Sequence, residues 1–140
     1  MSLFTKSRQG PPHCRMPEVA LRVLVVEDDA VLRDLWVEVF REAGHEVAGA
    51  ESAGDARSSL LARRYDVAVL DLHLGSESGL SVATLAAYTN PDCKVIMITG
   101  SSLFANGELF EMAPAVSTVL RKPVPIEELL AVSEHRAIMA

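Results

Sequence analysis

The feature that most constrains this chain is Val67-Ala68-Val69-Leu70-Asp71, four apolar residues, two of them β-branched, that stop at a single carboxylate. A continuously apolar run, rather than an alternating one, suits a strand buried on both faces of a parallel sheet. Gly75, Ser76, Ser78 and Gly79 follow at once, so the strand ends abruptly. In open α/β sheets ligands settle just beyond the carboxyl ends of the strands. Asp71 therefore falls where such a fold puts chemistry, if the rest of the chain supplies the fold and the partners.

The same pattern recurs. Leu21-Arg22-Val23-Leu24-Val25-Val26 is apolar and β-branched and ends in Glu27-Asp28-Asp29. Residues 30–42 then take helical spacing through Leu32, Leu35, Val39 and Phe40, with Asp29 as the expected N-cap and Gly44 as the left-handed residue that closes the helix. Trp36 reads as helix packing. A short strand over 45–50 leads to a helix over 52–64 capped by Ser52, its apolar side carrying Ala56, Leu60 and Leu61. After the Asp71 strand come a helix over 78–88, a turn at Asn90-Pro91-Asp92 and a fourth strand over 94–98 that ends in Thr99-Gly100. A weaker helix over 103–112, a fifth strand over 117–120 ending in Arg121-Lys122-Pro123, and a helix over 126–138 opened by Pro125 complete the chain. Five strands alternating with five helices imply a doubly wound α/β fold, a five-stranded parallel sheet with helices on both faces.

Composition sets the limits. A chain of 140 residues, 49% apolar, makes one compact domain. A net charge of −6 lacks the basic footprint of a nucleic-acid binder, so no direct nucleic-acid contact is expected. No apolar stretch approaches the ~20 residues of a membrane span. Cys14 and Cys93 have no metal-ligand or redox spacing, and the N-terminus has no secretory core, which points to a reducing, cytoplasmic setting. Residues 1–20 hold Gly10, Pro11, Pro12 and Pro17 without apolar periodicity and read as a flexible tail before a folded unit over 21–140. His13 and Cys14 adjoin there, but two ligands do not make a metal site.

In a parallel sheet every carboxyl end lies on one edge, so Glu27, Asp28, Asp71, Thr99 and Lys122 must converge. Two carboxylates ~4 Å apart repel by about 4 kcal/mol at an effective dielectric near 20, so three in one cleft call for positive charge. Lys122 supplies one; a hard divalent cation such as Mg2+ suits an all-oxygen set for the rest. An aspartate so placed can attack a phosphoryl group to form an acyl phosphate, with the lysine and a threonine hydroxyl on the transferring oxygens.

The motifs Val-Leu-Val-Val-Glu-Asp-Asp, Val-Leu-Asp-Leu-His-Leu with Gly79 eight residues beyond the Asp, Ile-Met-Ile-Thr-Gly and Leu-Arg-Lys-Pro resemble, in order and spacing, the receiver domain of two-component response regulators. The similarity covers about residues 21–136. It implies the flavodoxin-like strand order 2-1-3-4-5, which the chemotaxis member of that family exemplifies, and a cis Lys122-Pro123 bond. It implies Asp71 as phosphoacceptor, Mg2+ ligated by Asp28, Asp71 and the His73 backbone carbonyl with Glu27 acting partly through water, and Thr99 and Lys122 on the phosphoryl oxygens. The implied donor is a phosphohistidine on a sensor histidine kinase or phosphotransfer protein, and the implied output is a switched interaction with a downstream protein target through the face of the fourth helix, fifth strand and fifth helix, for which Leu103, Phe104, Phe110 and Val119 are candidates. A homodimer stays open. Departures from the pattern are Val119, where such domains carry Tyr or Phe, Gly75 in place of Pro, Ser78 in place of Asp, and Val124 after Lys-Pro in place of Phe. His73 and Ser101 fall where the family tunes dephosphorylation. Two other readings compete: a degenerate receiver that binds partners independently of phosphorylation, which the missing aromatic favours, and an aspartate-nucleophile phosphatase, which would need a second Asp where His73 stands.

Overall fold

The computed structural model describes residues 19–100 and 114–135. The expected tail up to residue 18, His13, Cys14, Ser101, the helix over 103–112 with Leu103, Phe104 and Phe110, and everything past His135 lie outside the described residues.

The chain runs β1 (Arg22–Val26), α1 (Ala30–Glu42), β2 (Glu46–Ala50), α2 (Ala53–Ala62), β3 (Val67–Asp71), the two-residue strands β4 (His73–Leu74) and β5 (Glu77–Ser78), α3 (Gly79–Thr89), β6 (Lys94–Thr99), β7 (Thr118–Arg121) and α4 (Ile126–Glu134). The main sheet is parallel with order β2-β1-β3-β6-β7, which is the expected 2-1-3-4-5 once the separate β4–β5 ribbon is set aside. Every residue of β3 is buried. Alternate side chains of the strands feed two cores: Leu24, Val26, Ala68, Leu70, Val95 and Met97 pack with α2 and α3, while Val23, Val25, Val67, Val69, Ile96 and Ile98 pack with α1 and α4. Both faces being covered is the reason the strands read as unbroken apolar runs.

The expected caps are in place. Asp29 accepts from the amides of Val31 and Leu32, Ser52 from Asp55, and Ser78 from Leu80. Gly44 takes φ +98°, where a side chain would be strained. Trp36 is buried with Phe40. Two expected core residues are not core: Leu35 and Leu61 are 46% and 71% exposed. Each lies one residue, about 100° around its helix, from a buried neighbour, Trp36 or Leu60, and that rotation takes it off the sheet-facing stripe. Element ends shift by a few residues; α4 ends at Glu134 with His135 extended, and the rest of the expected span to 138 lies outside the described residues. No helix among the described residues is long and apolar enough to cross a membrane.

Candidate functional site

The register of the sheet sets β1 beside β3 and β3 beside β6, so Glu27 and Asp28 leave β1 next to Asp71, the last residue of β3. One carboxylate oxygen from each of Glu27, Asp28 and Asp71 lies within 4.8 Å of the others, the only such donor cluster among the described residues. Lys122 follows β7 directly and precedes the expected cis Lys122-Pro123 bond, and its amide donates to the Thr99 carbonyl at 2.9 Å. Its ammonium stands 3.0 Å from Asp71 Oδ2 and 3.2 Å from Glu27 Oε1.

Each carboxylate has its own setting. Asp71 is buried; its Oδ2 accepts from Lys122 and its Oδ1 accepts from the His73 amide at 3.1 Å. The His73 ring is exposed, so His73 meets the cluster through its backbone. Asp28 is exposed and its Oδ2 accepts from the Gly75 amide at 3.2 Å. Glu27 is 1% exposed. Its Oε2 accepts from the Asp29 amide at 3.1 Å, whereas Oε1, although close to the Lys122 ammonium, has no aligned hydrogen-bond donor. Burial, with the negative charge of Asp71 adding to it, pushes the Glu27 carboxyl up to about 7 against the Asp29 amide and Lys122, which act the other way. Burial alone would lower Lys122, but its hydrogen bond to Asp71 and the charges of Asp71 and Glu27 outweigh that and raise it. Thr99 is buried at the end of β6, on the same edge.

The sequence-expected residues thus meet as Glu27, Asp28, Asp71 and Lys122 in contact range, with Thr99 and the His73 backbone at the rim. The donor set fits a hard divalent cation: three carboxylates face one ammonium, and a buried oxygen of Glu27 is left without a directed partner. Sequence reasoning missed two contributions, one from a backbone amide and one from a side chain. The Gly75 amide reaches Asp28, and Arg33 on α1 donates to the Glu27 carbonyl at 2.8 Å, pinning the end of β1. Gly75 carried a signal, as the first residue of a two-residue Gly-Ser turn; Arg33 carried none.

A buried aspartate between a lysine and an acid pair, on the carboxyl edge of this sheet, is the arrangement that defines the class. The family described as the response regulator receiver domain matches residues 23–134, and the chain belongs to that family of two-component signalling domains. It is 32% identical over 111 residues to the transcriptional regulatory protein PhoP of Escherichia coli K12, a match covering 79% of this chain and 49% of that protein. The chain spans about half the length of the curated relatives it matches. Among solved structures, a response regulator of Burkholderia pseudomallei with a phosphorylated aspartic acid, calcium ion and citrate superposes with TM-score 0.72 at 25% identity, over 79% of this chain and 65% of that one. The response regulator TrrA of Thermotoga maritima in complex with Mg2+ and beryllofluoride gives 0.69 at 28% identity, over 80% and 95%.

Proposed function

We propose that Asp71 is the phosphoacceptor of this receiver domain. The observation that carries the reading is the Asp71 carboxylate itself, buried at the end of β3 between the Lys122 ammonium at 3.0 Å and the His73 amide at 3.1 Å, with Glu27 and Asp28 beside it. An Asp71 oxygen attacks the phosphorus of a phosphohistidine on a sensor kinase or phosphotransfer protein; the P–N bond breaks, the imidazole leaves with the bonding pair, and an acyl phosphate forms. Lys122 follows the charge from the carboxylate to the phosphoryl oxygens, and the Thr99 hydroxyl donates to one of them. Asp28, Asp71 and the His73 carbonyl would hold Mg2+, with Glu27 beside them, and the cation would offset the charge spread over the transferring group. The domain so promotes its own phosphorylation and dephosphorylation as a signalling device in the cytoplasm. Binding energy differences between the two states then switch a downstream protein target.

Val119 is half-buried and packs against the α2–α3 core, so no aromatic ring on β7 is available to turn inward.

Acetyl phosphate or beryllofluoride with Mg2+ is expected to add one phosphoryl group to, or bind, the wild-type chain and not Asp71→Asn, read by intact mass and amide shifts. A wild type left unchanged under saturating donor would sink the proposal.

A further inference from the structure

The segment after Asp71 is a hairpin rather than a free loop. His73 pairs antiparallel with Ser78 and Leu74 with Glu77, and Gly75 at φ +64° opens the two-residue turn between them. Three ties hold this ribbon. Leu74 is buried in the core under α2 and α3. Arg57 on α2 brings two guanidinium nitrogens to Glu77 Oε1, each at 3.3 Å. At the tip, the Gly75 amide donates to Asp28 Oδ2 at 3.2 Å, joining the ribbon to the end of β1. A proline at 75 has no N–H to give and cannot take this φ.

We propose that the β4–β5 ribbon is a positioning element for cation binding: the Gly75 amide orients the Asp28 carboxylate, and the Arg57–Glu77 pair holds the ribbon where that amide is delivered. The inference rests on Asp28 being a cation ligand, as argued above. Partners that orient a ligating carboxylate typically change metal affinity by about 10- to 100-fold. Arg57 separates positioning from simple charge, because the two act with opposite sign. Removing a positive charge from the protein favours a bound cation by field alone, whereas loosening the ribbon weakens its binding.

The test is the Mg2+ dissociation constant of the full chain, measured by titration calorimetry at fixed pH and ionic strength. Gly75→Pro is expected to weaken binding about tenfold or more. Gly75→Asn, which keeps the N–H and tolerates left-handed backbone, stays within about twofold. Arg57→Met weakens binding about threefold, the scale of an exposed ion pair, and speeds hydrogen exchange at the Gly75 amide. Arg57→Met binding as tightly as wild type, or more tightly, overturns the proposal, and so does a folded Gly75→Pro with wild-type affinity. If Gly75→Pro fails to fold, Arg57→Met, at a half-buried helical position, decides alone. Asp28→Asn is the control for the underlying reading: undiminished Mg2+ binding there overturns the ligand assignment, whereas its loss beside unaffected ribbon variants overturns only the ribbon's role.

Discussion

Glu27 is the residue whose chemistry the fold changes most. A carboxyl with an ordinary value of 4.5 is pushed to about 7 by burial and by the neighbouring Asp71 charge. The folded value lies above the unfolded one, so the native state binds the extra proton between them. The stability this confers is fully present below about pH 4.5, declines as pH rises and is gone above about 7. At about 1.4 kcal/mol per unit, the whole effect is on the order of 3 to 4 kcal/mol. Urea denaturation of the cation-free protein from pH 4.5 to 8 is expected to show wild type losing that much relative to Glu27→Gln, which has no proton to release; parallel pH profiles for the two would refute it. The carboxylate's place at the strand end was legible in the sequence, because apolar runs ending in acid mark the sheet's carboxyl edge. Its protonation was not, since whether Glu27 or Asp28 turns inward depends on the packing of Arg33 and β2 around the end of β1, which spacing does not encode.

Gly79 shows how an element, rather than a side chain, sets the site. A Cβ built there runs into the Asp71 carbonyl oxygen, with the Asp71 carbonyl carbon at 3.2 Å and Leu72 Cα at 3.4 Å, while the Gly79 amide donates to the Leu72 carbonyl at 2.7 Å. The first turn of α3 is therefore pressed against the end of β3, and what it touches is backbone that cannot yield cheaply. Helix propensity alone favours alanine over glycine by about 1 kcal/mol. The opposite sign is expected here: Gly79→Ala destabilises by about 1–3 kcal/mol, the scale of overpacking, and weakens Mg2+ binding because Asp71 must move. Chemical denaturation and calorimetry check both, and a stabilised variant would refute the close-packing account. The five strands and four described helices were legible because two-sided burial leaves an unbroken apolar signature and because Asp29, Ser52 and Ser78 cap where capping chemistry predicts. The β4–β5 ribbon was not, since two-residue strands are too short to show a period and their pairing depends on a single turn glycine.

Across the whole molecule the sheet separates its two ends. The acids and Lys122 occupy the carboxyl edge, whereas the amino edge holds a clamp on the last helix. There the Lys94 ammonium, at the start of β6, donates to the Val132 carbonyl at 2.8 Å and the His135 carbonyl at 2.6 Å, meeting the negative end of α4. The His45 ring, wholly buried beside Phe40, accepts from the Leu21 amide through Nδ1 at 3.0 Å, so its Nε2 carries the proton and donates to Glu134 at 2.8 Å. These bonds fasten α4 to the starts of β1, β2 and β6, while the opposite end of that helix follows directly from Lys122 and Pro123. If the rigid sheet isolates the two edges, cutting the clamp loosens α4 without disturbing the acids. Lys94→Met is expected to lose ~1.5 to 3 kcal/mol, the range of a charge-assisted hydrogen bond, with faster hydrogen exchange over residues 129–135 and Mg2+ affinity within about twofold of wild type. A Mg2+ affinity that falls together with α4 protection would mean instead that the helix carries strain from one edge to the other, and would make the clamp part of the switching machinery.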